Sequence, residues 1–245
     1  MKDLYEKFAY DYDEFGAIEE YLGDEKRFFE EVFQQYKVSN VLDCACGTGQ
    51  HLLMLLQSGF HVVGSDYSKS MIEVAKRNLD GYGYTPKLNQ CDFRYLEKVS
   101  DDTYDAVICL TNSLPHLHSD DDLVTALISM RKRIREGGIL VLSSGTTHAT
   151  LQYPPIEVVV NRQDFSRVFV KEHDELFQTI HIVDLFHDEH HVESNQYDIK
   201  YRLLLDEDYK KLLKEAGYKK INIYGDYSQN PYDKNSMKLI IVAEV

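Results

Sequence analysis

VLDCACGTG, residues 41–49, followed by Asp66, carries the decisive signal in this 245-residue chain. An apolar run meets a glycine turn, and leucines at helical spacing follow it at once. The pattern predicts a strand, a tight turn and a helix start, with a carboxylate closing the next strand. Glycine at 47 and 49 lets backbone N–H groups approach a ligand where a Cβ would collide. Asp66 is placed to accept hydrogen bonds from both hydroxyls of a ribose. Together they predict a nucleoside pocket.

Alternating strand and helix signals run outward from this stretch, from Val38 to about Ser144, as in a parallel sheet covered on both faces. Strands are expected at residues 41–44, 60–65, 87–90, 104–110 and 139–143. Helices are expected at 50–58 and from Ser70 to Gly81, where Ser70 and Glu73 have capping-box spacing. A third helix opens on Asp120, Asp121 and Asp122 and finishes with Arg131, Lys132, Arg133 and Arg135. Its charges oppose the backbone dipole at both ends, and Gly137 and Gly138 are expected to stop it. Asp206 is read as the cap of a helix through Ala216. Strands at 219–224 and 237–242 follow, antiparallel at the sheet edge.

Residues 145–205 follow a different pattern. Segments 168–171, 178–185 and 196–203 alternate polar and apolar side chains, which predicts a small antiparallel sheet placed over the ligand crevice. The first forty residues read as one or two helices, with Asp24 capping a stretch that buries Phe28, Phe29, Val32 and Phe33. The expected fold is α/β and Rossmann-like: a seven-stranded, mostly parallel sheet with helices on both faces, and a small antiparallel lid inserted after strand five. The corresponding division is a helical cap at 1–37, a ligand-binding core at 38–144 and 206–245, and a substrate lid at 145–205.

A formal charge of -14, from 41 acidic and 27 basic residues, repels a phosphate backbone and argues against nucleic-acid partners. Neutral or cationic small substrates suit it better. The longest apolar runs, 139–142 and 239–243, fall far short of a membrane span. No basic leader precedes the polar, tyrosine-rich start, so a cytoplasmic protein is expected. Cys44, Cys46, Cys91 and Cys109 fit neither a disulfide nor a zinc framework and read as buried thiols. His173, His181, His187, His190 and His191 match no helical ligand pair. No metal is expected, and residues 187–191 read as a charged hairpin turn.

Three details sharpen the pocket. Leu52 stands where a dinucleotide fingerprint wants its third glycine. Asp43 can anchor the turn and meet a ligand's ammonium, and Asp92, in NQCDF, follows the third strand. With YLGD at Tyr21, SDYSKSM at Ser65 and VICLTNSLPHL at Val107, the chain resembles the class I S-adenosylmethionine-dependent methyltransferases. It looks most like small-molecule N-methyltransferases, including glycine N-methyltransferases and those acting on amino-sugar nucleotides. The resemblance implies S-adenosylmethionine as cofactor, with Gly47 and Gly49 cradling the methionine part and Asp66 holding the ribose. Tyr67 and Met71 would flank the adenine, Asp92 and Phe93 complete its pocket, and Leu110 close the methionine side.

The glycine enzymes carry an arginine shortly after strand five that grips the substrate carboxylate. Here that stretch is SSGTTHAT, residues 143–150, with no arginine, which argues against glycine. Arg162 or Arg167 could hold another acidic substrate, although a solvated strand charge is the plainer reading. His116 sits where the sugar enzymes place a histidine and is the expected general base; the alternative is a ring bonded to a loop carbonyl. Tyr12, with Tyr10 nearby, would stabilise a cation and orient the acceptor. Asn112 and Ser113 either bond substrate or end a strand. The implied reaction is in-line methyl transfer to a small-molecule amine. O-methylation, an NAD-dependent oxidoreductase and a non-catalytic cofactor-binding regulator remain open alternatives.

Overall fold

The computed structural model describes residues 2–15, 23–188 and 190–245. Tyr21 and Leu22 of YLGD, and Glu189 of the expected hairpin turn, lie outside them. Helix α1 (Lys2–Phe8) and a short turn (Tyr12–Phe15) precede α2 (Gly23–Tyr36). The core then runs β1 (Asn40–Asp43), α3 (Gln50–Gln57), β2 (His61–Asp66), α4 (Lys69–Gly81), β3 (Lys87–Gln90), β4 (Tyr104–Cys109), α5 (Asp120–Lys132) and β5 (Ile134–Ser144). Strands β6 (Ile156–Asn161), β7 (Phe165–His173), β8 (Phe177–His187) and β9 (Val192–Arg202) come next. Helix α6 (Asp206–Glu215), β10 (Ile221–Tyr224) and β11 (Leu239–Glu244) close the chain.

The large sheet has seven strands in the order β10-β11-β5-β4-β1-β2-β3, and β11 runs antiparallel to both its neighbours. Successive side chains on a strand point to opposite faces, and here both faces are apolar. Val41, Ala106, Ile108 and Val141 pack against α2 and α3 through Phe28, Phe33, Leu52 and Leu55. Leu42, Val107, Leu140 and Leu142 pack against α5 and α6 through Leu123, Leu127, Leu212 and Leu213. Near-continuous hydrophobic strands are what two covered faces require. Strand order reverses between β1 and β4, so the crevice opens at the carboxyl ends of these two strands.

The second sheet is an antiparallel meander in the order β6-β7-β8-β9. Three strands were expected and four are present. Strand β6, from IEVVVN, is an apolar run without alternation, and period-two reading passes over it. This sheet stands at the carboxyl end of the large one. His118 Nε2 lies 3.0 Å from the Lys200 carbonyl, and Thr146 donates to Gln178 at 3.0 Å.

Local expectations fail where a distant partner takes over. Ser68, not Ser70, caps α4 and accepts from the Met71 amide at 3.2 Å. Ser70 instead donates its hydroxyl to Glu6 of α1, whose carboxylate also accepts from the amides of Lys69 and Ser70. Asp24 lies inside the first turn of α2 and Asp206 inside that of α6. At the start of α6, Asp208 accepts from the Leu205 amide at 2.9 Å. Gly137 and Gly138 do not stop α5. They lie within β5, at a register shift against β4, where a Cβ on Gly138 would stand 2.6 Å from the Asp105 carbonyl. All four cysteines are free and buried.

Candidate active site

The two glycines of the β1–α3 turn differ in their surroundings. Gly47 has φ 51° and a Cβ built on it would point into open space. Gly49 has φ 90°, and its Cβ would press Ala75 and Leu79 of α4 at 3.3 Å. Both left-handed φ values call for glycine, and at Gly49 the close approach of α4 adds a second reason. Asp66 pins this turn to the end of β2: it accepts from the Gly47 amide at 2.9 Å and from the Ser68 amide at 2.9 Å. Burial pushes its carboxyl up, against those backbone bonds. Asp43 is 2% exposed and accepts from the Ala45 amide at 3.2 Å. Burial raises its carboxyl to about 7.

Beyond the turn, the expected residues divide. Tyr67 and Asp92 line one cleft of about 200 Å³ with Gln90 and Tyr95. Asp92 is already engaged there. Arg94 grips its carboxylate through Nε at 3.1 Å and Nη2 at 2.6 Å, then reaches Asp122 at the start of α5. Phe93 packs toward the core under α5 and α6. Met71 is buried with Ala9 and Val74, and Leu110 joins the core beneath α2 and α3. Thr111 and Asn112, just past β4, both adopt left-handed φ, 54° and 61°. Such strain needs support from neighbours, and β5 supplies it: Ser143 accepts from both amides, and the Asn112 side chain accepts from Ser144 and Gly145. Asn112 and Ser113, which donates to the Leu110 carbonyl, thus shape the loop end.

His116 follows on a single helical turn and packs against an aromatic cluster. Its Nε2 lies 2.8 Å from the Tyr5 hydroxyl, and its ring is 4.7 Å from that of Tyr201. Nδ1 is buried and has no hydrogen-bond partner among the described residues. Burial, helped by the charge of His118, pulls the ring down to about 4, so it is neutral across the physiological range. Phe8, Tyr12 and Tyr197 extend the aromatic wall. Tyr12 is pushed up to about 12, by burial first and by Asp13 and Asp66 next. Tyr201 shares the period-two face of β9 with Tyr197 and Ile199, which was a usable signal. Tyr5 carries no local signal at all.

Residues 11–14 form a strap between the two sheets. Asp13 accepts from Thr48 at 2.6 Å in the glycine turn, from Gln50 of α3 and from Asn78 of α4. On the other side Arg167 donates to the carbonyls of Asp11 and Tyr12. A solvated strand charge was expected at 167, and the opposite is found. Arg167 and Asp184 are both wholly buried and joined by two bonds of 2.6 Å, with the guanidinium over Phe8 and Phe165. Arg162 pairs with Glu14 of the same strap. A larger cavity of about 440 Å³ lies at the amino ends of β1 and β2, lined by Asn40 and His61, far from this constellation.

Residues 41–138 match the family described as a methyltransferase domain. A glycine/sarcosine N-methyltransferase of Parasynechococcus marenigrum (strain WH8102) is 37% identical over 115 residues, 47% of this chain and 41% of that protein. Another, of Halorhodospira halochloris, is 28% identical over 220 residues, 89% of this chain and 79% of that protein. The chain spans about two fifths of the length of the first curated relatives it matches. A solved S-adenosylmethionine-dependent methyltransferase from Clostridium acetobutylicum ATCC 824 shares the fold, with a TM-score of 0.80 at 20% identity over 98% of both chains. No helix among the described residues is long and apolar enough to cross a membrane.

Proposed function

We propose, from the premise that residues 41–138 form a methyltransferase domain of the S-adenosylmethionine-dependent class, that this chain methylates a small-molecule amine at nitrogen. The observation that carries the reading is Asp66 bonded to the Gly47 turn, with open space in front of that glycine. A carboxylate at a strand end beside exposed turn amides suits an adenosine, and a wide approach without a third turn glycine suits a ligand lacking phosphates.

When bound, the cofactor supplies an activated methyl group on a sulfonium. The chain's own residues have few tasks. Asp66 accepts from the ribose hydroxyls, Asp43 meets the ammonium, and Gly47 lets the backbone close on the methionine part. Tyr67, Met71 and Asp92 border the base, with Phe93 behind them, and Leu110 floors the methionine side. His116, held neutral, offers the unpartnered Nδ1 as acceptor to the N–H of the incoming amine and aims its lone pair. Tyr12 and the neighbouring aromatic faces stabilise the charge that nitrogen gains.

Both arginines that approach the strap, Arg162 and Arg167, are already paired with acids. An acceptor without a carboxylate fits this wall better than glycine does. In this reading residues 145–205 cover the acceptor side, residues 1–37 form the cap, and 38–144 with 206–245 hold the cofactor. Four free, buried thiols suit a reducing, cytoplasmic setting.

Calorimetric titration with S-adenosylmethionine should give saturable heat. A following mass-spectrometric screen of amines should show a gain of one or more methyl groups. His116→Ala is expected to lower turnover by about a hundredfold or more while leaving cofactor affinity within about twofold of the parent. Equal turnover of variant and parent from about pH 6 to 9 removes His116 from the chemistry.

A further inference from the structure

Asp92 stands beside the residue proposed to hold the ribose. Asp66 lies opposite Gln90 in the β2–β3 register, and its carbonyl accepts from the Cys91 amide at 2.8 Å. The Gln90 side chain donates to the Tyr67 carbonyl at 3.1 Å, and Asp92, next along the chain, lines the same cleft as the exposed ring of Tyr67. A carboxylate on a loop ordinarily turns about its own side-chain bonds, and this one is held against turning. Arg94 donates to both its oxygens: the backbone amide to Oδ1 at 2.9 Å, Nε to Oδ1 and Oδ2 at 3.1 Å each, and Nη2 to Oδ2 at 2.6 Å. The arginine is itself tied to α5. Its Nη1 reaches Asp122 Oδ1 at 2.7 Å, and two residues on the Leu96 amide donates to Ser129 Oγ at 2.9 Å. A planar guanidinium that meets a carboxylate edge-on fixes the plane of that group as well as its place.

We propose that Arg94 is a positioning residue for base recognition, holding the Asp92 carboxylate in one plane so that the pocket takes a 6-amino purine and rejects a 6-oxo purine. The inference rests on this cleft being the base end of the cofactor pocket. The two oxygens of a carboxylate have about four acceptor directions between them, and Arg94 occupies most of these. A base is met only along what remains. An exocyclic amine donates into that direction, whereas a carbonyl oxygen in the same place sets two acceptors face to face. A carboxylate free to swing avoids this clash by turning to the ring N1–H that a 6-oxo purine gains. The fixed plane removes that escape, so a group that would attract any donor becomes a selective one.

The test is calorimetry of the full chain with S-adenosylhomocysteine and S-inosylhomocysteine, which differ only at this edge of the base. The parent should bind the adenosyl compound at least about a hundredfold more tightly. Arg94→Gln should compress that ratio by about tenfold, chiefly by gaining affinity for the inosyl compound. An arginine that merely ties the short helix Phe93–Lys98 to α5 would, when removed, lower both affinities together and leave the ratio unchanged. Arg94→Lys keeps the charge without the planar fork and should compress the ratio nearly as far. If the parent discriminates and both variants keep its ratio, the positioning role is overturned. It is overturned as well if the parent binds the two compounds equally, since Asp92 then does not read the base. If the parent binds neither, the pocket reading itself has failed. Should Arg94→Gln lack a cooperative melt, Arg94→Lys decides alone, because it retains the cation between Asp92 and Asp122.

Discussion

Asp66→Ala is expected to weaken S-adenosylmethionine binding by about 2–4 kcal/mol, the scale of losing charged hydrogen bonds in a buried site. In the proposed site the residue has two tasks, and alanine removes both: it takes away the proposed ribose acceptor, and it releases the Gly47 amide that Asp66 holds at 2.9 Å. Asp66→Asn should be nearly as damaging. Both carboxylate oxygens already accept from backbone amides, Gly47 on one and Ser68 on the other, so an asparagine NH₂ must face a donor whichever way it turns. Calorimetric dissociation constants for the three proteins check this. Unchanged affinity in the alanine variant would remove Asp66 from the pocket.

Arg167→Met is expected to cost about 3–5 kcal/mol of folding stability, which lowers the melting temperature by roughly 10 °C in a chain of this size. Methionine fills much of the volume between Phe8 and Phe165 but leaves the Asp184 carboxyl wholly buried without its guanidinium partner. The carbonyls of Asp11 and Tyr12 lose a donor as well. Arg167→Met combined with Asp184→Leu should recover much of the loss, since it is the orphaned charge that costs most. Urea unfolding of the parent, the single and the double variant is the measurement. A single variant as stable as the parent would mean the pair does not hold the strap.

What could be read from the chain was whatever has neighbours close in sequence. VLDCACGTG announced its strand and turn, and three aspartates against three arginines announced α5, because those signals lie within a few residues of one another. What escaped is tertiary. Ser68 caps α4 because Ser70 is claimed by Glu6, 64 positions away. Arg167 looked like a solvated charge because nothing local reveals that Asp184 and two carbonyls of the strap surround it. Gly138 reads as a helix stop, yet it is required by the approach of the Asp105 carbonyl across a strand pair. Among the proposed site residues, Asp43 and Asp66 were picked out by motif spacing and His116 by the resemblance. Tyr5, which lies 2.8 Å from His116, was not, because it comes from a helix more than a hundred residues away.

The strap has a consequence for traffic. Thr48 and Arg167 hold the same few residues from opposite sides, so in the proposed reading the strap ties the cofactor turn to the acceptor wall. Its release to let spent donor leave is then expected to limit the steady-state cycle rather than bond exchange. Rapid-quench experiments would then show a burst of methylated product in the first turnover. A linear time course from the earliest point would place the slow step elsewhere.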